Sequence, residues 1–260
     1  MRKLLLAVTL GVVAAVAVAG VAGAVNTYVI SIGKTTPDKP GSAKKPVPVK
    51  LGFGYKVGDT ENLRPSVINQ YYIAAEGIKY FANAVPKCTF AQADASPTFS
   101  SKCKKAVVGK GSIANAFGAS ADRTAKAPCD VKLTLINISN GKGVGKKNGG
   151  IAIRIDTGPP DCPLDIHGSL VAPIYNVKLD GIASSEYRFK VPDSLVHPAP
   201  GVDNSVIDVV TTIPKKVRKY KGQKVSFASS VGRKGKKRTL RVTFVSEDGH
   251  KETAIQQFPK

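Results

Sequence analysis

Apolar residues in this chain recur at every second position, in short bursts. Val131, Leu133 and Leu135 alternate with Lys132 and Thr134; Ile151, Ile153 and Ile155 alternate with Ala152 and Arg154; Leu240, Val242 and Phe244 alternate with Arg241 and Thr243. A period of two sends successive side chains to opposite faces of a strand, so these segments read as strands with one wet face. Between the bursts stand turn formers. The chain holds 25 Gly and 17 Pro, spaced too closely for long helices.

Further strand candidates are Asn26 to Ile32, Leu51 to Tyr55, Tyr71 to Ile78, Ala106 to Ala116, Leu170 to Val177, Tyr187 to Val191, Val206 to Thr212 and Val225 to Phe227. Asp248-Gly249 is a hairpin turn leading into a last strand near Thr253 to Phe258. The one weak helical stretch lies between Cys88 and Cys103. Many short strands without intervening helices predict a mostly β protein, an antiparallel β-sandwich or barrel-like domain. Gly33 to Lys50, rich in Pro, Gly and Lys, reads as a linker or long edge loop. The expected organisation is a signal segment over 1–24, a short strand and Pro/Lys-rich linker over 25–50, and a β-rich domain over 51–260, with room for two sub-sheets.

The first residues carry an export signal. Arg2 and Lys3 precede an uncharged apolar run from Leu4 to Val25, and Ala22-Gly23-Ala24 matches the small-x-small pattern that signal peptidase reads. Cleavage is expected after Ala24. The run is also long enough to span a bilayer as an uncleaved anchor. Both readings place the rest of the chain outside the cytoplasm, secreted or associated with the cell envelope.

All four cysteines lie downstream, at Cys88, Cys103, Cys129 and Cys162. No C-x₂₋₄-C knuckle is present, which removes the usual zinc pattern. In an oxidising compartment four cysteines read as two disulfides. Spacing favours the local pairs Cys88–Cys103 and Cys129–Cys162.

Charge is the other strong feature. The formal net charge is +21. Lys215, Lys216, Arg218, Lys219, Lys221, Lys224, Arg233, Lys234, Lys236, Lys237, Arg238 and Arg241 fall in one stretch without an acid among them. Val217, Tyr220, Val225, Phe227 and Leu240 interleave with them, as on paired strands with a basic outer face. These twelve are the candidate polyanion-binding residues, for an anionic cell-wall polymer or lipid headgroups. The bland alternative is a solvated face that keeps the protein soluble and guards an edge strand. Nucleic acid is the least favoured polyanion, because the compartment is wrong and stacking aromatics are scarce.

Catalytic signals are thin. There are three histidines, His167, His197 and His250, and no G-x-S-x-G, H-E-x-x-H or phosphate-loop pattern accompanies them. A triad is assembled in space, so a hydrolase built on His167 or His197 stays as the alternative reading, beside a protein–protein module using an exposed strand edge. Neither a metal nor a cofactor is implied. Asn137-Ile138-Ser139 matches a glycosylation sequon.

The order Leu63-Arg64-Pro65-Ser66-Val67, Pro86-Lys87-Cys88, Val108-Gly109-Lys110-Gly111, Gly158-Pro159-Pro160-Asp161-Cys162 and His197-Pro198-Ala199-Pro200-Gly201 resembles a group of uncharacterised secreted proteins from high-GC Gram-positive bacteria. The resemblance spans roughly residues 50 to 250. It implies secretion and local disulfides and carries no activity. The expectation is therefore a non-catalytic surface or binding domain of the cell envelope, whose basic face meets an anionic polymer or lipid surface.

Overall fold

The alternating segments pair into one antiparallel sheet that curls on itself. The computed structural model describes residues 26–33 and 35–257. The export segment and its cleavage position after Ala24 lie outside the described residues. Eleven strands follow one another across the sheet: β1 (Asn26–Ile32), β3 (Leu51–Asp59), β11 (Val202–Ile213), β6 (Val107–Ala119), β7 (Ala127–Ile138), β8 (Gly150–Thr157), β9 (Ile166–Leu179), β10 (Ile182–Lys190), β4 (Ile68–Ala75), β15 (Thr239–Ser246) and β16 (Lys251–Gln257). The two edge strands, β1 and β16, lie beside each other, so the sheet is a nearly closed barrel. Closing a sheet hides its edges from foreign strands.

Aromatic rings fill the seam where the edges meet. Tyr28 on β1 stacks on Phe244 of β15 with ring centroids 4.3 Å apart, and Tyr55 meets the same Phe244 edge-on at 5.2 Å. Tyr71 stacks on Phe189 at 5.0 Å. Away from the seam the interior is aliphatic. Val131, Leu133 and Leu135 of β7 face inward with Ile151, Ile153 and Ile155 of β8, the very residues whose alternation marked these strands.

The outer wall of β7 and β8 is covered as well. Ile136, Ile138 and Ala152 are fully buried there under a flap containing Cys88, Ala93, Cys103 and Ala106. Two short helical turns shape the flap: α1 (Phe90–Ala93), opened by a Thr89–Gln92 capping box, and a 3₁₀ turn over Ser101–Ala106. The Cys88–Cys103 disulfide ties its two ends together. Arg154 reaches out of β8 with no exposed surface and donates to the carbonyls of Ala95 and Pro97, each at 2.8 Å. The second disulfide, Cys129–Cys162, fastens β7 to the loop after β8. Both expected pairings are thus present.

A smaller sheet closes one end of the barrel. It consists of β2 (Val47–Pro48), β14 (Ala228–Ser230) and β5 (Ile78–Tyr80). Tyr80 stacks on Tyr187 at 4.3 Å and on Phe227 at 5.4 Å, plugging the interior. The corner from β4 into β5 turns at Gly77, which has φ +63, and a Cβ there would overlap the Gly232 carbonyl. The Pro- and Lys-rich stretch expected as a linker belongs to this end: Thr35 and Val49 are buried, and Val49 donates its N–H to Ala228. The barrel therefore includes β1, ahead of Leu51, because β1 completes the seam.

Candidate functional site

Strand direction sorts the loops into two ends. Register places Leu51 opposite Ile213, Gly150 opposite Ile138 and Leu240 opposite Ala75 at the plugged end. Asn26 opposite Asp59, Val202 opposite Ala119 and Ser246 opposite Ile68 mark the other end. Residues 35–50, 76–88, 139–149, 178–181 and 214–238 gather at the plugged end; they contain twenty-one Lys and Arg against three acids, Asp38, Glu76 and Asp180. Residues 59–67, 120–126, 158–165, 191–203 and 246–250 gather at the other; they contain nine acids against Arg64, Arg123 and Lys126.

The twelve basic residues singled out from the sequence do not form one hairpin. The chain makes a small hairpin of β12 (Arg218–Tyr220) and β13 (Gln223–Val225), turning at Lys221 and Gly222, which have φ 47 and 76. Positive φ at both central residues is the turn that matches strand twist. It then enters the buried strand β14. The Gln223 amide donates to the Lys44 carbonyl at 3.0 Å, docking the hairpin on the loop before β2. Lys215, Lys216, Arg218, Lys219, Lys221 and Lys224 are exposed on the hairpin arm; Lys234, Lys236 and Lys237 are exposed on the following loop. Val217 stands among the first group with 52% of its surface exposed.

Three of the twelve are structural. Arg238 is 1% exposed and donates to the carbonyls of Glu76 and Gly232 at 2.8 and 2.7 Å, to that of Lys39 at 3.2 Å and to Ser230 Oγ. Arg233 pairs with Asp38 at 2.7 Å, and Arg241 pairs with the buried carboxylate of Glu186 at 3.1 Å. These guanidinium groups hold the plug and the barrel wall together, because their fixed forks satisfy several carbonyls or a buried acid at once.

Other lysines join the exposed ones from distant parts of the sequence. Lys79 donates to Asn176, Lys87 donates to Asn83, and the Asn83 amide donates to the Lys147 carbonyl at 3.1 Å. Burial holds the Lys79 and Lys87 ammonium pKa values below the usual lysine range, and the neighbouring Lys147 charge pushes Lys79 further down. Both shifts mean that a positive charge is costly there, and a bound anion would offset that cost. Nothing in their spacing marks these lysines. Lys146-Lys147 in the Gly-rich loop was the single local hint.

The opposite end holds both candidate catalytic histidines, in an arrangement different from a triad. His197 follows α2 (Asp193–Val196) and sits between two carboxylates, with Nε2 2.6 Å from Glu247 Oε1 and Nδ1 3.1 Å from Asp203 Oδ1. Ser120 Oγ donates to Asp203 at 2.6 Å rather than to the imidazole. The Glu247 hydrogen bond, with the Glu247 and Asp203 charges, raises the His197 pKa above 6.5. His167 likewise lies between Asp156 at 2.9 Å and Asp165 at 3.2 Å. With acids on both nitrogens, the His197 imidazole is favoured as a doubly donating cation. It has no free lone pair with which to activate a hydroxyl.

The sequon Asn137 is fully buried, and its amide donates to the carbonyls of Ala82 and Pro86, each at 2.9 Å. It links β7 to the chain before Cys88 and is closed to glycosylation in the folded protein. Among the described residues no group of three His, Cys, Asp or Glu could hold a metal ion, and no helix is long and apolar enough to cross a membrane. Two disulfides and no free cysteine among the described residues are the mark of an oxidising compartment. Comparison with family models, with curated proteins and with solved structures finds no match.

Proposed function

We propose that this is an exported, non-catalytic binding domain of the cell envelope whose basic end contacts a linear anionic polymer. The observation that carries this reading is the separation of charge along the barrel axis. Loops from five separate segments bring their lysines and arginines to one end, while the acids collect at the other. A charge excess kept only for solubility has no need of such an axis. One focused at one end attracts a polyanion and orients it on approach.

Exposed lysines serve a phosphate polymer as point charges. The desolvated ammoniums of Lys79 and Lys87 are the places where an anion gains most. A lipid surface is the second reading, and Val217 favours it, because an exposed apolar side chain ringed by cations suits a headgroup layer. Geometry weighs toward the polymer. Asn26 lies at the acidic end, so a chain held through its leader would turn its basic end away from its own membrane.

Retention on immobilised poly(glycerol phosphate), compared with anionic vesicles, tests the reading. Tight retention on the polymer that weakens steeply with salt supports it. Equal retention on a neutral polysaccharide would overturn it.

A further inference from the structure

We propose that the barrel interior is a binding site for a small uncharged alcohol, held beneath α2. Eight strands already make a barrel just wide enough to be filled by side chains or to hold one small ligand. This sheet has eleven strands. Phe53, Tyr55, Tyr71, Tyr187 and Phe189 line part of its interior, and most of the remaining lining is aliphatic. A cavity of about 100 Å³ remains among Ile113, Leu133, Ile153, Leu170, Val206 and Leu195. Apolar voids of this kind stay dry and accept apolar guests; one of roughly 150 Å³ admits benzene. By the same proportion the guest here has about four heavy atoms.

Six side chains with polar groups interrupt the apolar wall: Tyr55, Tyr71, Asn115, Tyr187, Asn204 and Thr211. Asn115 and Asn204 line the cavity, and the amide oxygen of each is buried without a hydrogen-bond partner among the described residues. Asn115 is only 8% exposed. A buried acceptor without a donor is costly, and the cost is removed by a guest carrying a hydroxyl. No Lys, Arg, His, Asp or Glu lines the cavity, so a charged guest would be stranded without a counter-charge. Leu195 and Val196 of α2 close the cavity at the acidic end, next to Val191 and Ile166. The guest enters there, because Tyr80 and Phe227 plug the opposite end. This site shares no residue with the basic end and stands or falls separately from it.

Titration of the exported protein with 1-propanol, followed by methyl carbon–proton NMR, tests the proposal. Saturable shifts confined to the Ile113, Leu133, Ile153 and Leu170 methyls are expected, with acetate, of equal heavy-atom count, silent at the same concentration. Ile153→Phe, which fills the void, should weaken binding at least tenfold without lowering Tm. Val206→Leu adds a single methylene and serves the same purpose should the larger side chain prevent folding. Asn115→Leu should weaken propanol binding about fivefold, the worth of one hydrogen bond. Unsaturable shifts scattered over the surface, an equal response to acetate, or ordered waters on Asn115 and Asn204 that propanol does not displace would overturn it.

Discussion

His197 and Glu247 join across the acidic mouth of the barrel, imidazole Nε2 to carboxylate Oε1 at 2.6 Å. The contact ties the segment carrying α2 to the turn between β15 and β16. Asp203 faces the other imidazole nitrogen and is itself held by Ser120 and, at 3.4 Å, by Arg64. Asp193 on α2, with Asp248 and His250 on the turn, completes the charged surroundings.

Stability of this mouth should depend on pH. The raised pKa of His197 means that the folded protein holds this proton more tightly than the unfolded chain does. The contribution is therefore complete below about pH 6.5 and fades as pH climbs through the folded value. A half-exposed pair of this kind contributes about 0.2–1 kcal/mol. Glu247→Gln should lower Tm by about 1–3 °C at pH 5.5 and by less at pH 9, measured by scanning calorimetry. A larger loss at pH 9 than at pH 5.5 would contradict the assignment.

Removing the Cys88–Cys103 disulfide should loosen the flap before it unfolds the barrel. The bond closes a loop with a sequence separation of 15, worth roughly 3 kcal/mol in the chain-entropy model. Arg154 and Asn137 still hold the neighbouring chain to the wall. The paired change Cys88→Ser with Cys103→Ser should expose residues 89–106 to limited proteolysis while the barrel stays intact. Simultaneous cleavage throughout the chain would show that flap and barrel unfold as one.

Neighbouring cations should behave in opposite ways. Arg238→Met leaves the Glu76, Gly232 and Lys39 carbonyls without their buried donor and should cost about 3–5 kcal/mol. Lys237→Glu, one residue earlier and exposed, should change stability by no more than about 0.5 kcal/mol. Urea unfolding of the two variants measures both.

The local strands were legible in the sequence. The β7 and β8 alternation marks inward and outward faces because a half-turn per residue leaves no other way to bury Leu133 and Ile153 together. Short cysteine spacing likewise announces Cys88–Cys103. The order of strands was not legible: β3 pairs with β11 and β4 with β10, contacts decided by packing between residues more than a hundred positions apart. For the same reason Lys79, Lys87 and Lys147 escape notice, since only the closed sheet brings them to one end. Arg238 is the instructive failure. Within a basic run it is indistinguishable from Lys237, and only the β4–β5 corner, with its unpaired carbonyls, makes it a core residue. The segment before Leu51 was misjudged because Pro and Lys normally mark a solvated linker, while here Val49 and Thr35 supply the buried contacts.

The central claim is that charge gathered at one end of the barrel binds a polyanion. Its most direct measurement is a salt titration of affinity for poly(glycerol phosphate), made on two quadruple variants. One reverses Lys215, Lys219, Lys236 and Lys237 to Glu at the basic end; the other reverses Lys126, Lys132, Lys190 and Lys251 elsewhere, all eight being exposed. Net charge falls equally in both. The account predicts that the first variant loses at least a hundredfold in affinity at low salt, with a log–log slope shallower by about 3–4, on the order of one unit per lost phosphate contact. It predicts less than a fivefold loss for the second. Equal losses in the two variants, or no loss in the first, would contradict it.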